Sequence, residues 1–64
     1  MGTRIAQIRL ERDLTQQELA TKAGLSMRTI AYAEAGRDMR TSTLWAIAEA
    51  LGVSVDDLFV KETA

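Results

Sequence analysis

The sequence predicts an all-α fold of five short helices around one core. Three observations carry the prediction. Helix-capping residues and glycines recur at helix-length intervals along the 64 residues. Apolar residues between them return with helical spacing. No segment alternates apolar and polar residues long enough to make a strand. At 47% apolar, the chain has enough hydrophobic side chains for one core and too many for a disordered tail. The length fits one domain, residues 1–64. A domain this short hides only about 60% of the surface its unfolded chain exposes, so its stability is modest.

The first helix is expected over residues 3–12, where Ile5 and Ile8 share a side and Arg9 and Arg12 fall on its margin. The second, 16–23, follows Thr15-Gln16-Gln17-Glu18, a capping box in which threonine and glutamate satisfy each other's free backbone N–H groups. Leu19, Ala20 and Ala23 line its inner side, and Gly24 marks its end. The third, 27–35, has Ser26 as N-cap, Ile30 and Ala33 inside and Gly36 beyond it. The fourth, 42–51, follows the N-cap candidates Thr41 and Ser42, buries Leu44, Ile47, Ala48 and Leu51, and stops at Gly52. The fifth, 55–61, opens on Ser54-Val55-Asp56-Asp57, a weaker capping box. Leu58 and Phe59, with Val53 and Val55, close the bundle, while Leu14 and Leu25 staple the helix starts that follow them.

The second and third helices, joined through Gly24, make a helix-turn-helix over about residues 15–36. Such a unit can present the bare face of its second helix to a DNA major groove. At about 100° per residue, Met27, Arg28, Ala31, Tyr32 and Ala35 fall opposite Ile30 and Ala33. An ordinary solvated face carries more glutamate and lysine. This one is short-chained at its centre with longer groups around it, so it can approach another surface closely. Taken singly, Tyr32 could pack on a neighbouring helix and Met27 could fill a gap. Taken together within this motif, they make a base-reading face.

Other chemistry is scarce. With no cysteine, neither a disulfide nor a thiolate metal site is possible. With no histidine, the commonest general base and zinc ligand is gone. Asp56-Asp57 sits in the first turn of a helix, where negative charge favours the dipole, so it reads as a helix start rather than a metal site. Lys22 and Lys61 stand singly, and no glycine-rich phosphate loop occurs. No catalytic residue, metal or cofactor is expected. No apolar run approaches the roughly 18 residues of a membrane span, and no cleavable signal is visible, so the expected location is the cytoplasm.

The net charge of −1 argues mildly against nucleic acid, but a protein field is felt locally. Six of the eight bases are arginine (Arg4, Arg9, Arg12, Arg28, Arg37 and Arg40), and three of these lie between positions 28 and 40. Glu49, Asp56, Asp57 and Glu62 gather in the C-terminal third. The chain therefore reads as polarised, basic at one end and acidic at the other.

Arg4-Ile5-x-x-Ile8-Arg9, Leu14-Thr15-Gln16-x-Glu18-Leu19-Ala20, Ala23-Gly24-Leu25-Ser26, Ile30, Glu34-x-Gly36 and Ala48-x-Ala50-Leu51-Gly52-Val53-Ser54-Val55-x-x-Leu58-Phe59 occur in this order. The combination, over residues 4–59, resembles the phage-repressor and Cro type of helix-turn-helix domain, a large bacterial and phage family with a lambda-repressor-like fold. The resemblance implies that residues 27–32 are the recognition helix, with Met27, Arg28 and Tyr32 at base edges and Thr29 near the groove wall. An arginine there can grip guanine O6 and N7, worth about 1–3 kcal/mol of discrimination. It also implies a phosphate at Gln16, on the positive end of the second helix, and another at Thr41, Ser42 and Thr43. Arg37 and Arg40 flank the path between them. Arg9 and Glu34 lie at the edges of apolar stripes and each needs a partner; in the family the matching pair is an internal ion pair. Arg9 reaching a phosphate directly is compatible with this.

Three departures stand out. Ala35 occupies a position where the family often has a polar residue that touches DNA backbone. Asp38-Met39-Arg40-Thr41 lacks the frequent proline, which predicts a looser loop, and Asp38 there would repel DNA. Trp45 is expected to pack against the fifth helix, with a partner interface as the alternative.

The expected function is a sequence-specific regulator of transcription that binds double-stranded DNA, a repressor on a palindromic operator. A homodimer is expected because one recognition helix reads too few bases; its half-sites lie about one helical turn apart, roughly 34 Å. The loop after Gly52, the fifth helix, Trp45 and Leu10 are candidates for the dimer surface. The rival reading is a protein-interaction module of the same fold, antitoxin-like or bridging, which the −1 charge and acidic C-terminal third favour. The sequence fits a complete small regulator and the DNA-binding part of a longer protein equally well.

Overall fold

The computed structural model describes residues 3–37 and 40–59. Four α-helices, α1 (Ile5–Glu11), α2 (Gln16–Ala23), α3 (Met27–Glu34) and α4 (Thr41–Leu51), are followed by a 3-10 turn, Val55–Leu58. Each element contributes one wholly buried large side chain: Ile5, Leu19, Ile30, Ile47 and Leu58. Ile8, Ala20, Ala33, Leu44, Ala48 and Leu51 complete the core. α2 packs against both α3 and α4, and α4 also against the 3-10 turn. α3 is thus backed by the rest of the fold on its Ile30 and Ala33 side.

The helix starts follow side-chain chemistry. Thr15 Oγ1 accepts from the Glu18 N–H at 3.0 Å while Glu18 Oε1 accepts from the Thr15 N–H at 2.9 Å. Ser26 Oγ accepts from the Thr29 N–H at 3.1 Å and caps α3. Ser54 and Asp57 form a second capping box at the 3-10 turn. α4 differs from expectation. It starts at Thr41, one residue early, and its N-cap is Arg40, whose side chain makes no capping bond.

All four α-helices end by one device. The residue after the last helical turn adopts a left-handed conformation: Asp13 (φ 56°), Gly24 (71°), Gly36 (77°) and Gly52 (73°). The next N–H then returns to a carbonyl five residues back, Leu14 to Arg9, Leu25 to Ala20, Arg37 to Tyr32 and Val53 to Ala48, at 2.8–3.1 Å. This is the Schellman arrangement, which satisfies carbonyls a helix end would otherwise leave open. Leu14, Leu25 and Val53 pack onto the core at these corners; Arg37 does not.

Two further helix boundaries are corrected. The first helix begins at Ile5 rather than residue 3, because Thr3 forms an isolated antiparallel bridge with Phe59. The Arg4 N–H donates to the Leu58 carbonyl at 2.7 Å, and Thr3 Oγ1 donates to the Ala33 carbonyl at 3.0 Å. The fifth element is a 3-10 turn of four residues rather than a helix over 55–61, since Phe59 turns extended to meet Thr3. The remainder of that expected helix, with Lys61, lies outside the described residues, as do Asp38 and Met39 and the expectations placed on them.

Candidate nucleic-acid interface

One side of α3 is covered and the other is bare. Ile30 and Ala33 are wholly buried, whereas Met27 is 48% and Tyr32 40% exposed, and Arg28 and Ala35 are exposed too. The apolar spacing of the helix forces this division for Arg28, Tyr32 and Ala35, which lie across the helix from Ile30 and Ala33, while Met27, one turn before Ile30, stands at the margin between the two sides. Thr29 is half-buried at the rim, and its hydroxyl lies 2.9 Å from Ser26 Oγ, joined to the cap of the helix. At the other end, the Arg37 guanidinium lies over the Tyr32 ring, 5.1 Å from its centroid.

A carboxylate-centred cluster ties this helix to the two before it. Glu34, the last residue of α3, accepts from Arg9 Nε at 2.6 Å on one oxygen and from Gln16 Nε2 at 2.8 Å on the other. Arg9 also donates through Nη1 to the Leu14 carbonyl at 2.7 Å. The Arg9 and Glu34 side chains are 12% and 11% exposed, so the pair sits largely out of water. Gln16 stands at the first position of α2 with its amide oriented by Glu34, next to the positive end of that helix.

At the start of α4, Arg40, Thr41 and Ser42 are exposed. Thr43, the third residue expected at this phosphate, is 6% exposed. Leu44, Ile47 and Ala48 enter the core from the same helix, and Thr43 lies on their side of it.

Trp45 is also corrected. It is 64% exposed rather than packed away, and walls an open groove of about 420 Å³ with Val53 and Val55, rimmed by Glu49 and Asp56. A four-residue turn replaces the helix that was to cover it. Leu10 is exposed as well. The Gln16–Glu34 bond and the Thr3 clasp went unread in the sequence. Gln16 carried one signal, a long amide at the first position of a helix, but Thr3 carried none. Among the described residues, no cluster of acids fit to hold a metal ion occurs, and no helix is long and apolar enough to cross a membrane.

Comparison with known proteins agrees with this geometry. A family model described as helix-turn-helix matches residues 5–58. The immunity repressor protein of Bacillus phage phi105 is 47% identical over 64 residues, covering 98% of this chain and 44% of the repressor. The chain therefore spans less than half the length of that relative. An uncharacterized HTH-type transcriptional regulator of Sinorhizobium fredii is 40% identical over 55 residues, covering 84% of this chain and 71% of the regulator. Among solved structures, the restriction-modification controller protein C.AhdI from Aeromonas hydrophila superposes with a TM-score of 0.81 at 28% identity, covering 88% of this chain and 86% of its own. On its family match, its relatives and the bare face of α3, this chain belongs to the helix-turn-helix family of the phage-repressor and Cro type.

Proposed function

We propose that this protein is a transcription regulator, not an enzyme, that represses by binding a palindromic double-stranded DNA operator as a homodimer. One observation carries the reading: α3 buries Ile30 and Ala33 completely and leaves Arg28, Tyr32 and Ala35 uncovered on the opposite side, with Met27 uncovered at its margin. In this reading Met27 and Arg28 meet base edges, Thr29 lies at the groove wall, and Tyr32 stands at the far end of the same face. Gln16 at the start of α2, and Arg40, Thr41 and Ser42 around the start of α4, meet backbone phosphates with Arg37 between them. The repressor, regulator and controller names of the relatives support the assignment. The Trp45 groove, walled by Val53 and Val55, supports association of two copies.

Selection from random oligonucleotides tests the reading. The expected result is a two-fold symmetric sequence whose half-sites lie about one helical turn apart. Affinity for it should fall steeply with salt, since each phosphate contact releases counterions. A second reading, a protein-interaction module, is favoured by the exposed Trp45 and the net charge of −1. Absence of any enriched sequence, with no salt-dependent binding to mixed DNA, would decide for it.

A further inference from the structure

We propose that Tyr32 is a positioning residue for Arg37, which it holds ready to grip one DNA phosphate at the C-terminal edge of the reading face. The proposal rests on the DNA-binding reading above and adds to it what holds Arg37 in place.

The four helix terminators make the case. In three of them the residue after the left-handed position is Leu14, Leu25 or Val53, and each packs onto the core. A Schellman corner brings this residue beside the third residue from the helix end, and an apolar contact usually joins the two. In α3 the corresponding residues are Arg37 and Tyr32. The backbone bond is the same, with the Arg37 N–H donating to the Tyr32 carbonyl at 2.8 Å. The side chains differ in kind: the guanidinium lies over the ring, 5.1 Å from its centroid, within the range of a cation–π contact. Both residues are exposed, so this corner adds little to the core and faces outward.

The chemistry of the pair follows. A guanidinium against a ring keeps the N–H groups at its edge available, and a phosphate takes two of them side by side. Holding the long side chain in one place before DNA arrives lowers the ordering cost at binding. Gly36 at φ 77° is what folds Arg37 back over the ring. Tyr32 thus acts through its ring and not through its hydroxyl.

The test uses the whole chain and the duplex chosen by selection, with an unrelated duplex beside it. Affinity is measured across a salt series for wild type, Tyr32→Phe, Tyr32→Leu, Arg37→Ala and the double variant Tyr32→Leu/Arg37→Ala. Thermal melting of each variant verifies that it is folded. Tyr32→Phe is expected to keep both affinity and salt slope. Tyr32→Leu is expected to weaken both duplexes by about two- to five-fold, the size of an exposed cation–π contact. Arg37→Ala is expected to lower the salt slope by about one, and the double variant to bind no more weakly than Arg37→Ala. Independent, additive losses overturn the proposal, as does a Tyr32→Phe variant that changes base preference. A folded wild-type chain that binds neither duplex overturns the DNA-binding reading along with it, whereas salt-dependent binding with additive losses overturns the positioning role alone.

Discussion

Arg9 of α1 donates to Glu34 of α3 at 2.6 Å, with both side chains almost out of reach of water. The carboxylate has a separate donor for each oxygen, and the guanidinium has the Leu14 carbonyl as a further acceptor. Removing one member of such a pair leaves the other charged, buried and unmatched, at a cost of about 3–5 kcal/mol. Glu34→Gln should therefore lower the melting midpoint by more than about 10 °C in a domain of this size. Arg9→Met combined with Glu34→Leu should recover much of the loss, because neither charge is then stranded. A Glu34→Gln protein that melts with wild type would show that the pair does not stabilise the fold.

Asp13 closes α1 in the left-handed region, where the other three helix ends use glycine. An L-residue there is held against a steric cost that glycine does not have, of order 1 kcal/mol. Asp13→Gly should raise stability by about 0.5–1 kcal/mol, or a few degrees in the melting midpoint. Asp13→Val, β-branched, should lower it. A reversed order in thermal melts would contradict the account of this corner.

Arg28 and Gln16 should separate two kinds of contact. Arg28 stands on the bare face, so Arg28→Ala should relax base preference at one position of each half-site, costing about 1–3 kcal/mol on the preferred sequence. Gln16→Ala should weaken all duplexes about equally. It should also reduce stability by roughly 1 kcal/mol through loss of its bond to Glu34. Binding arrays with every base substituted at each operator position would read both effects. Unchanged preference in Arg28→Ala would remove Arg28 from the reading face.

Trp45 is the single tryptophan and is largely uncovered in one protomer. If two copies meet at its groove, its emission should move to shorter wavelength as protein concentration rises, and Trp45→Arg should sediment as a monomer over the same concentration range while preserving the helical circular dichroism spectrum. Emission that stays constant over a sedimentation-verified monomer–dimer range would locate the contact elsewhere.

The elements were readable where local chemistry decides them. Thr15 with Glu18, Ser26, and Ser54 with Asp57 announce helix starts because each side chain bonds a backbone N–H three residues on. Ile5, Ile8, Leu19, Ile30, Ile47 and Leu58 could be placed in the core from spacing alone. What escaped depends on contacts between distant segments. Phe59 leaves the helical state because Thr3, 56 positions earlier, offers it a bridge. Trp45 is exposed, beside a described last element that ends at Leu58. Asp13 shows why composition misleads at a corner: the backbone geometry recurs, while the residue that adopts it changes.

Thr3 and Phe59 lie side by side. In a polypeptide cut to residues 3–59, a short flexible peptide joining the two should then close a ring without disturbing the helices. In the chain-entropy picture, a closure of this size removes unfolded-state freedom worth on the order of 4 kcal/mol. A cyclised version should resist heat and exopeptidases and leave the α3 surface open.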